Sequence, residues 1–348
     1  MSTEEKSDEL IEQMLSGPDK SDTIDSEIYF PDTGHNSPIH YNLRTISYSS
    51  LLTLHSCPRR YELNRLLPAP NDPDFDEDVD GHLDFGKVVG DGIQELLVNR
   101  DMNKAIFRAF CNWNDHLDSE RGLKKSKTFW HAVIAIQKFQ EMINGPLSAY
   151  EVATFNGKPA IELGFRVSFG NGFTYRGKLD ALLIHRTKRE YLPLECKTTG
   201  WKYLDEAMYG NSNQGIGYGV VIDRVAHESE GKEVNSYDVF YPVYMTSKQE
   251  WVPFRFPKGD TSRALWMQNV LLDIDDIQRY ADISYFPTRG ESCFSFGRQC
   301  RHYGTCHMKN ELLIGDLKKI PVRLDKRKEY KFEFDIEELI SAQMEKAE

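Results

Sequence analysis

The chain has 348 residues, 40% hydrophobic and 28% charged, with a formal net charge of −11. That apolar share excludes wholesale disorder and supplies a core for one large domain or two small ones. No apolar run approaches the roughly 18–20 residues of a membrane span, and the acidic opening MSTEEKSDEL lacks the pattern of a signal peptide. The expectation is therefore a soluble, cytoplasmic protein without membrane contact, in which six cysteines suit metal ligation better than disulfides. The acid is also concentrated. Residues 1–45 hold ten acids and three bases, and Asp72–Asp80 hold six acids and no base, which leaves a net of +2 elsewhere and room for a basic groove.

In chain order, residues 1–45 read as an acidic, disordered leader. A helix capped by Ser47 or Ser49 should run to about Leu67, followed by the acidic loop NDPDFDEDVDG. Phe85, Val88, Val89, Ile93, Leu96 and Leu97 share one helical face. Two more helices are expected at about Asn103–Asp118 and Ser126–Asn144, the second with Phe129, Trp130 and Ile136 in the core, and Gly145-Pro146 ends it. The period then drops to two, giving strands at Ala149–Phe155, Ala160–Phe169, Phe173–His185 and Glu190–Lys197, with Gly-Asn-Gly at 170–172 as a turn. A helix over Leu204–Asp223, strands Ser236–Met245 and Trp251–Phe256, and a helix from Ser262 to about Ile283 complete the body. The order indicates one mixed α/β domain, residues 46–314, with a helical insertion at about 100–146 and a cysteine-rich segment at 290–310; residues 315–348 form a charged tail.

The chemistry concentrates in YRGKLDALLIH and YLPLECKTT. On a strand Glu195 and Lys197 point to one face and Leu194 and Cys196 to the other. Asp180, on the preceding strand, lies beside them if a hairpin turns through Arg186–Arg189. Two converging carboxylates can hold Mg²⁺ or Mn²⁺, and a neighbouring lysine can orient or activate water or neutralise phosphoryl charge, the parts of a metal-assisted phosphodiester hydrolysis.

These residues resemble the PD-(D/E)XK nuclease superfamily, and more narrowly its RecB-type exonuclease branch, which includes CRISPR-adaptation and phage exonucleases. The branch's further motifs are matched by SYSSLLTLHSCPRRYEL, by FGKVVGDGIQELL, and by Gln214 and Tyr218 at i and i+4 on the following helix. The resemblance implies a restriction-endonuclease-like mixed central sheet flanked by helices. It assigns Asp180, Glu195, Lys197, Gln214 and Tyr218 to catalysis, and the metal to Asp180, Glu195, the main-chain carbonyl of Cys196 and a helix acid. That acid is carried onto Glu95, with Asp91 as substitute. Where the branch commonly has a metal-binding histidine, this chain has Gly90.

Cys57 with Cys293, Cys300 and Cys306 forms a one-plus-three layout that resembles the iron–sulfur members of this branch. There a [4Fe–4S] cluster staples the C-terminal segment to the first helix. Four thiolates also suit Zn²⁺, although the short C-x₂-C pairs of zinc ribbons are missing. His302 and His307 could substitute as ligands but read first as solvent-facing or DNA-contacting, and Cys111 and Cys196 read as core cysteines. Arg59, Arg60, Arg176 and Lys178 are the candidate phosphate contacts. With the aromatics Tyr175, Trp201 and Tyr203 interleaved, they suit a single strand.

Two imitations carry less weight. Gly215, Gly217 and Gly219 lack the Lys-Ser/Thr of a phosphate loop. Asp76, Asp78 and Asp80 lack the closing glutamate of a calcium loop, where Lys87 stands. The expectation is a metal-dependent DNA exonuclease acting on single strands or ends, in recombination, repair, or phage or CRISPR DNA processing. A protein partner could dock on the acidic leader or the charged tail. The rival, favoured by Gly90, is a catalytically weak DNA-binding module within a larger complex; a third is an RNA-end or tRNA-processing factor.

Overall fold

The computed structural model describes residues 45–67, 81–113, 127–155, 157–170, 173–230, 236–295 and 298–308. The expected leader, acidic loop, 170–172 turn tip and charged tail lie wholly or mostly outside these residues. So does the stretch beyond Trp113 where the insertion's first helix was expected to end.

The chain enters as a short strand β1 (Thr45–Ile46), then α1 (Tyr48–Ser56) and α2 (Pro58–Tyr61), with a wide turn at Glu62–Leu66. Ser47 closes a capping box with Ser50 at the start of α1. The sequence suggested one continuous helix here. Cys57 instead adopts extended backbone (φ −163°, ψ 110°), because the ring of Pro58 disfavours helical backbone in the residue before it. Three helices follow, α3 (Gly81–Asn99), α4 (Met102–Asn112) and α5 (Phe129–Asn144), the last two in the stretch expected as a helical insertion.

Next come β2 (Tyr150–Val152), the small hairpin β3 (Thr154–Phe155) and β4 (Lys158–Pro159), β5 (Ile161–Gly170), β6 (Phe173–His185), β7 (Tyr191–Leu194) and β8 (Lys197–Thr199). Two helices, α6 (Glu206–Gly210) and α7 (Asn213–Glu230), replace the single one expected. Strands β9 (Ser236–Met245) and β10 (Glu250–Gly259) and helix α8 (Asp260–Asp282) follow.

The eight-stranded mixed sheet is organised by β6, the longest strand. Along one edge β6 pairs antiparallel with β5 from Phe173 to Ala181 and then with β2 from Leu183 to His185. Along the other it pairs with β1 at Thr174–Tyr175 and with β7 at Ala181–Ile184. Between these two partners, from Arg176 to Asp180, that edge has no strand among the described residues.

Each face of the sheet carries its own core. One holds α1, α7 and α8, with Leu51, Leu54, Tyr218, Ile222, Trp266 and Ile274 buried; the other holds α3, α4 and α5, with Phe85, Ile93, Ala105, Ile136 and Phe139 buried. Trp266, Val270, Ile274 and Ile277 recur at helical spacing on α8, and burying each apolar side chain is worth about 1.5–3 kcal/mol. Two expected core residues are not in the core. Trp130 is 71% exposed, because the α5 residues that face the sheet are Val133, Ile136 and Phe139. Cys111 is exposed because Ala105 and Ala109 are the α4 residues that pack inward.

The glycines of α7 serve close packing rather than a phosphate loop. A Cβ on Gly215 would stand 2.2 Å from the Tyr241 hydroxyl and 3.3 Å from Lys258 Cε; one on Gly217 would stand 2.9 Å from the Tyr175 hydroxyl. Gly215→Ala would gain about 1 kcal/mol in helix propensity. The overlap with the buried Tyr241 should outweigh this, lowering stability by about 1–3 kcal/mol. A lower urea midpoint at unchanged m-value is the expected result.

Candidate active site

The pairs Ala181↔Leu194 and Leu182↔Pro193 fix the register of the β6–β7 hairpin, so the next position brings Glu195 opposite Asp180. The sequence reading of one strand through Lys197 fails at this point. The chain leaves β6 at Glu195–Cys196 and resumes as β8 against β9, where Lys197 aligns with Val243. The Asp180 side chain causes the break: its Oδ2 accepts the Cys196 N–H at 2.8 Å, while the Glu195 N–H donates to the Phe240 carbonyl at 3.0 Å. A carboxylate thus takes the place of a ladder carbonyl.

Glu195 is 5% exposed and every oxygen has a donor. Oε1 accepts from Lys197 Nζ at 2.5 Å and from Gln214 Nε2 at 2.8 Å; Oε2 lies 2.7 Å from the Tyr218 hydroxyl. Gln214 also bonds Lys197 through its Oε1 (3.1 Å) and Tyr218 through its Nε2 (2.7 Å). The Tyr218 hydroxyl lies 2.9 Å from the Lys178 carbonyl, in the stretch of β6 left uncovered on one edge among the described residues. The i, i+4 spacing on α7 thus brings Gln214 and Tyr218 down together onto Glu195. Lys258, 2% exposed, donates to the Gly210 carbonyl and so fixes the corner between α6 and α7 from which Gln214 projects.

The electrostatics follow from burial. The Asp180 carboxyl is raised well above the usual range, first by burial and then by the charge of Glu195; Lys197 and the Cys196 N–H only partly offset this. Burial works to lower the Lys197 ammonium, but the charge and hydrogen bond of Glu195, joined by Asp180, raise it overall. The Cys196 thiol is pushed up by burial and by both carboxylates, which keeps it a protonated core thiol. Two carboxylates that disfavour each other's charge in a buried site are relieved by a cation between them, and hard oxygen donors of this kind fit Mg²⁺ or Mn²⁺.

The expected helix acid is not brought to this pair. Glu95 accepts from Asn99 on its own helix (2.5 Å), and Asp91 accepts from Asn112 on α4 (2.7 Å). Besides Glu195, the acid whose charge reaches Asp180 is Glu162 on β5, which the sequence reading missed. At Gly90 a Cβ would meet nothing within 4 Å.

Of the expected phosphate contacts, Arg176 and Lys178 share with Asp180 the face of β6 opposite the buried Tyr175 and Leu179, and Arg166 of β5 lies across from Arg176. Arg59 is a correction. It is 3% exposed and bonds Glu62 (2.5 Å) and the carbonyls of Cys306 (2.8 Å) and Met308 (2.9 Å), so its charge ties the C-terminal segment to α2. Arg60 bonds Ser56 and lines a small cavity at this junction.

Cys57, Cys293, Cys300 and Cys306 line that same cavity. Cys293 closes a single 3₁₀ turn before the short hairpin β11 (Phe294–Ser295) and β12 (Arg298–Gln299), whose ends carry Cys293 and Cys300. The Cys306 thiol is pushed up by burial and then by Cys293, Cys300 and Cys57. His302 is buried and hydrogen-bonded to Asn64 at 2.7 Å, with its pKa lowered to about 4 by burial and by Arg301, Arg59 and Arg60, whereas His307 is exposed. As the side chains stand, no group of three or more His, Cys, Asp or Glu among the described residues is placed to hold a metal ion.

A family model of the PD-(D/E)XK nuclease superfamily matches residues 45–307. No curated protein matches the chain significantly. Among solved structures, a crystal structure from Eubacterium rectale named "putative exonuclease" aligns over 77% of this chain and 90% of that one, at 11% identity and a TM-score of 0.42.

The raised Asp180 carboxyl yields a signed prediction. Because its folded pKa lies above the unfolded value, the ionised group costs stability at neutral pH, and the cost fades as the pH falls and the folded carboxyl takes up a proton. Asp180→Asn, whose side-chain oxygen can still accept the Cys196 N–H, should therefore melt higher than the native chain in EDTA at pH 7.5. A gain of about 1 kcal/mol corresponds to about 2 °C at this size. The difference should shrink toward pH 4 in thermal denaturation.

Proposed function

Since the chain belongs to the PD-(D/E)XK nuclease superfamily, we propose that it is a Mg²⁺- or Mn²⁺-dependent DNA exonuclease acting on single strands or free ends. The observation that carries this reading is the convergence of Asp180, Glu195 and Lys197 where β6 and β7 part, braced by Gln214 and Tyr218 from one helix. Recombination, repair, and phage or CRISPR DNA processing are the settings the family resemblance names.

Asp180 and Glu195, with the Cys196 carbonyl, are the residues that would hold the cation. When bound, it supplies Lewis-acid stabilisation of the phosphoryl oxygens and a more acidic water. Lys197 acts as a charged donor rather than a base, since Glu195 and Asp180 hold its ammonium protonated. It orients the attacking water or offsets charge developing on the phosphoryl group. Gln214 keeps Lys197 and Glu195 in register by bonding both. Tyr218 locks the second oxygen of Glu195 and excludes water from behind it. Arg176 and Lys178, two and one strand repeats from Asp180, lead the phosphate backbone toward it.

End-labelled single-stranded DNA tests the reading directly. Native protein with Mn²⁺ should shorten it, and EDTA or Asp180→Ala should abolish the ladder. Tyr218→Phe should lower the rate about 10–100-fold, as loss of an outer support of a metal ligand does. Folded, DNA-binding protein that cuts neither DNA nor RNA would favour the binding-module alternative. Cutting of RNA alone would replace DNA as the substrate.

The cysteine cavity carries a second part of the reading, in which Cys57, Cys293, Cys300 and Cys306 ligate a [4Fe–4S] cluster. Four thiols around one cavity support it, and the neutral, hydrogen-bonded His302 is a poorer donor than any of them. Anaerobically purified protein should contain about four iron and four acid-labile sulfide per chain, both lost in Cys300→Ser. Zinc without sulfide would make this a structural zinc site, and neither metal would leave four free thiols.

A further inference from the structure

Glu162 occupies an unusual place. The pairs Ile161↔Ala181 and Leu163↔Leu179 put it directly across from Asp180 in the β5–β6 ladder. Like charges in that relation destabilise a sheet. Its backbone is also left-handed, with φ +50°, at the second residue of β5 and in a residue that carries a Cβ.

The side chain is held rather than left to solvent. Gln94 Nε2 donates to Oε1 at 2.7 Å from α3, and Lys178 Nζ donates to Oε2 at 3.1 Å from β6. Gln94 is itself buried, at 8% exposure. The Glu162 carboxylate is therefore aimed from two sides while its side chain keeps 41% exposure. Its charge acts on Asp180 and on Asp91.

Space remains for something between these groups. On α3, Gly86 faces the Thr198 hydroxyl, to which a Cβ would stand 3.3 Å away, and Gln94 faces Glu162. Gly90 lies four residues from each, on the same helical face, and a Cβ there would meet nothing within 4 Å. The helix thus passes over the β5–β6 pair without a side chain at its middle turn. We propose that Glu162 is a flanking carboxylate of the divalent-cation site: as it stands it forms no ligand group with Asp180 and Glu195, and its charge beside Asp180 raises the affinity for the ion beneath Gly90. The proposal rests on the nuclease reading for the presence of the cation.

Manganese titration of the full chain, followed by the electron paramagnetic resonance of free Mn²⁺, tests it without reference to activity. Native protein should bind Mn²⁺ and Asp180→Asn should lose it. Glu162→Gln, which keeps the size and can still bond Gln94 and Lys178, should bind at least about tenfold more weakly. Its melting temperature in EDTA should be equal to or above that of the native chain, as a lost carboxylate–carboxylate repulsion requires. Glu162→Asp, which keeps the charge, should bind more tightly than Glu162→Gln, and this comparison holds even if the glutamine variant folds poorly. Native affinity in Glu162→Gln, with binding lost in Asp180→Asn, would overturn the role of Glu162 and leave the nuclease reading intact. An absence of Mn²⁺ binding in the native chain, with and without DNA, would instead overturn the nuclease reading itself.

Discussion

A carboxylate at 5% exposure cannot be left without donors, and the arrangement around Glu195 is what that requirement demands. Its three donors come from β8 and from two successive turns of α7, so α7 must lie close on the sheet at that point. The close approach is possible because residues 215 and 217 have no side chain where the Tyr241 and Tyr175 hydroxyls arrive. Tyr218 can then reach the Lys178 carbonyl, which β6 offers only because neither β1 nor β7 extends over it. The gap in the sheet, the glycines of α7 and the hydrogen bonds of Glu195 are one constraint seen from three sides.

The same constraint explains why some of the site was legible in the sequence and some was not. Gln214-x-x-x-Tyr218 was readable because the helix period alone brings the pair to one face; Glu195 and Lys197 do meet, but across the break between β7 and β8 rather than along one strand. The break of the strand at Glu195–Cys196 was not readable, since it arises when a side chain sixteen positions earlier takes over the Cys196 N–H. Glu162 was hidden for a related reason. A left-handed residue in a strand has no local sequence signal, and its place beside Asp180 depends on the register of a hairpin. The helix acid failed in the opposite direction. Both Glu95 and Asp91 flank the apolar stripe of α3, but the residue that meets the strand pair is Gln94, between them.

Arg59 shows how a motif can be read correctly in place and wrongly in role. In CPRRY two adjacent arginines look like a phosphate-binding pair. The extended backbone at Cys57 and the short helix after it instead turn Arg59 inward, where Glu62 neutralises it and two carbonyls from residues 306 and 308 accept its donors. Burying a guanidinium is tolerable only with such complete pairing. Its reward is a link between segments 247 residues apart, for which the entropy of closure grows only slowly with length.

That link is independent of any metal. Arg59, the Arg289 bond to the His55 carbonyl (2.7 Å) and the Ser292 bond to the Ser56 carbonyl (2.5 Å) already join the C-terminal segment to α1 and α2 by protein groups alone. The four cysteines sit inside a junction that is closed on both flanks before any ligand is considered. The carboxylate site draws on none of these bonds, being built from β5, β6, β7, β8 and α7. Its geometry therefore depends on the packing of the sheet and on α7, and a cofactor at the cysteine cavity would act on it through the shared core, where Leu51 and Leu54 of α1, Tyr61 of α2 and Phe286 join Tyr218.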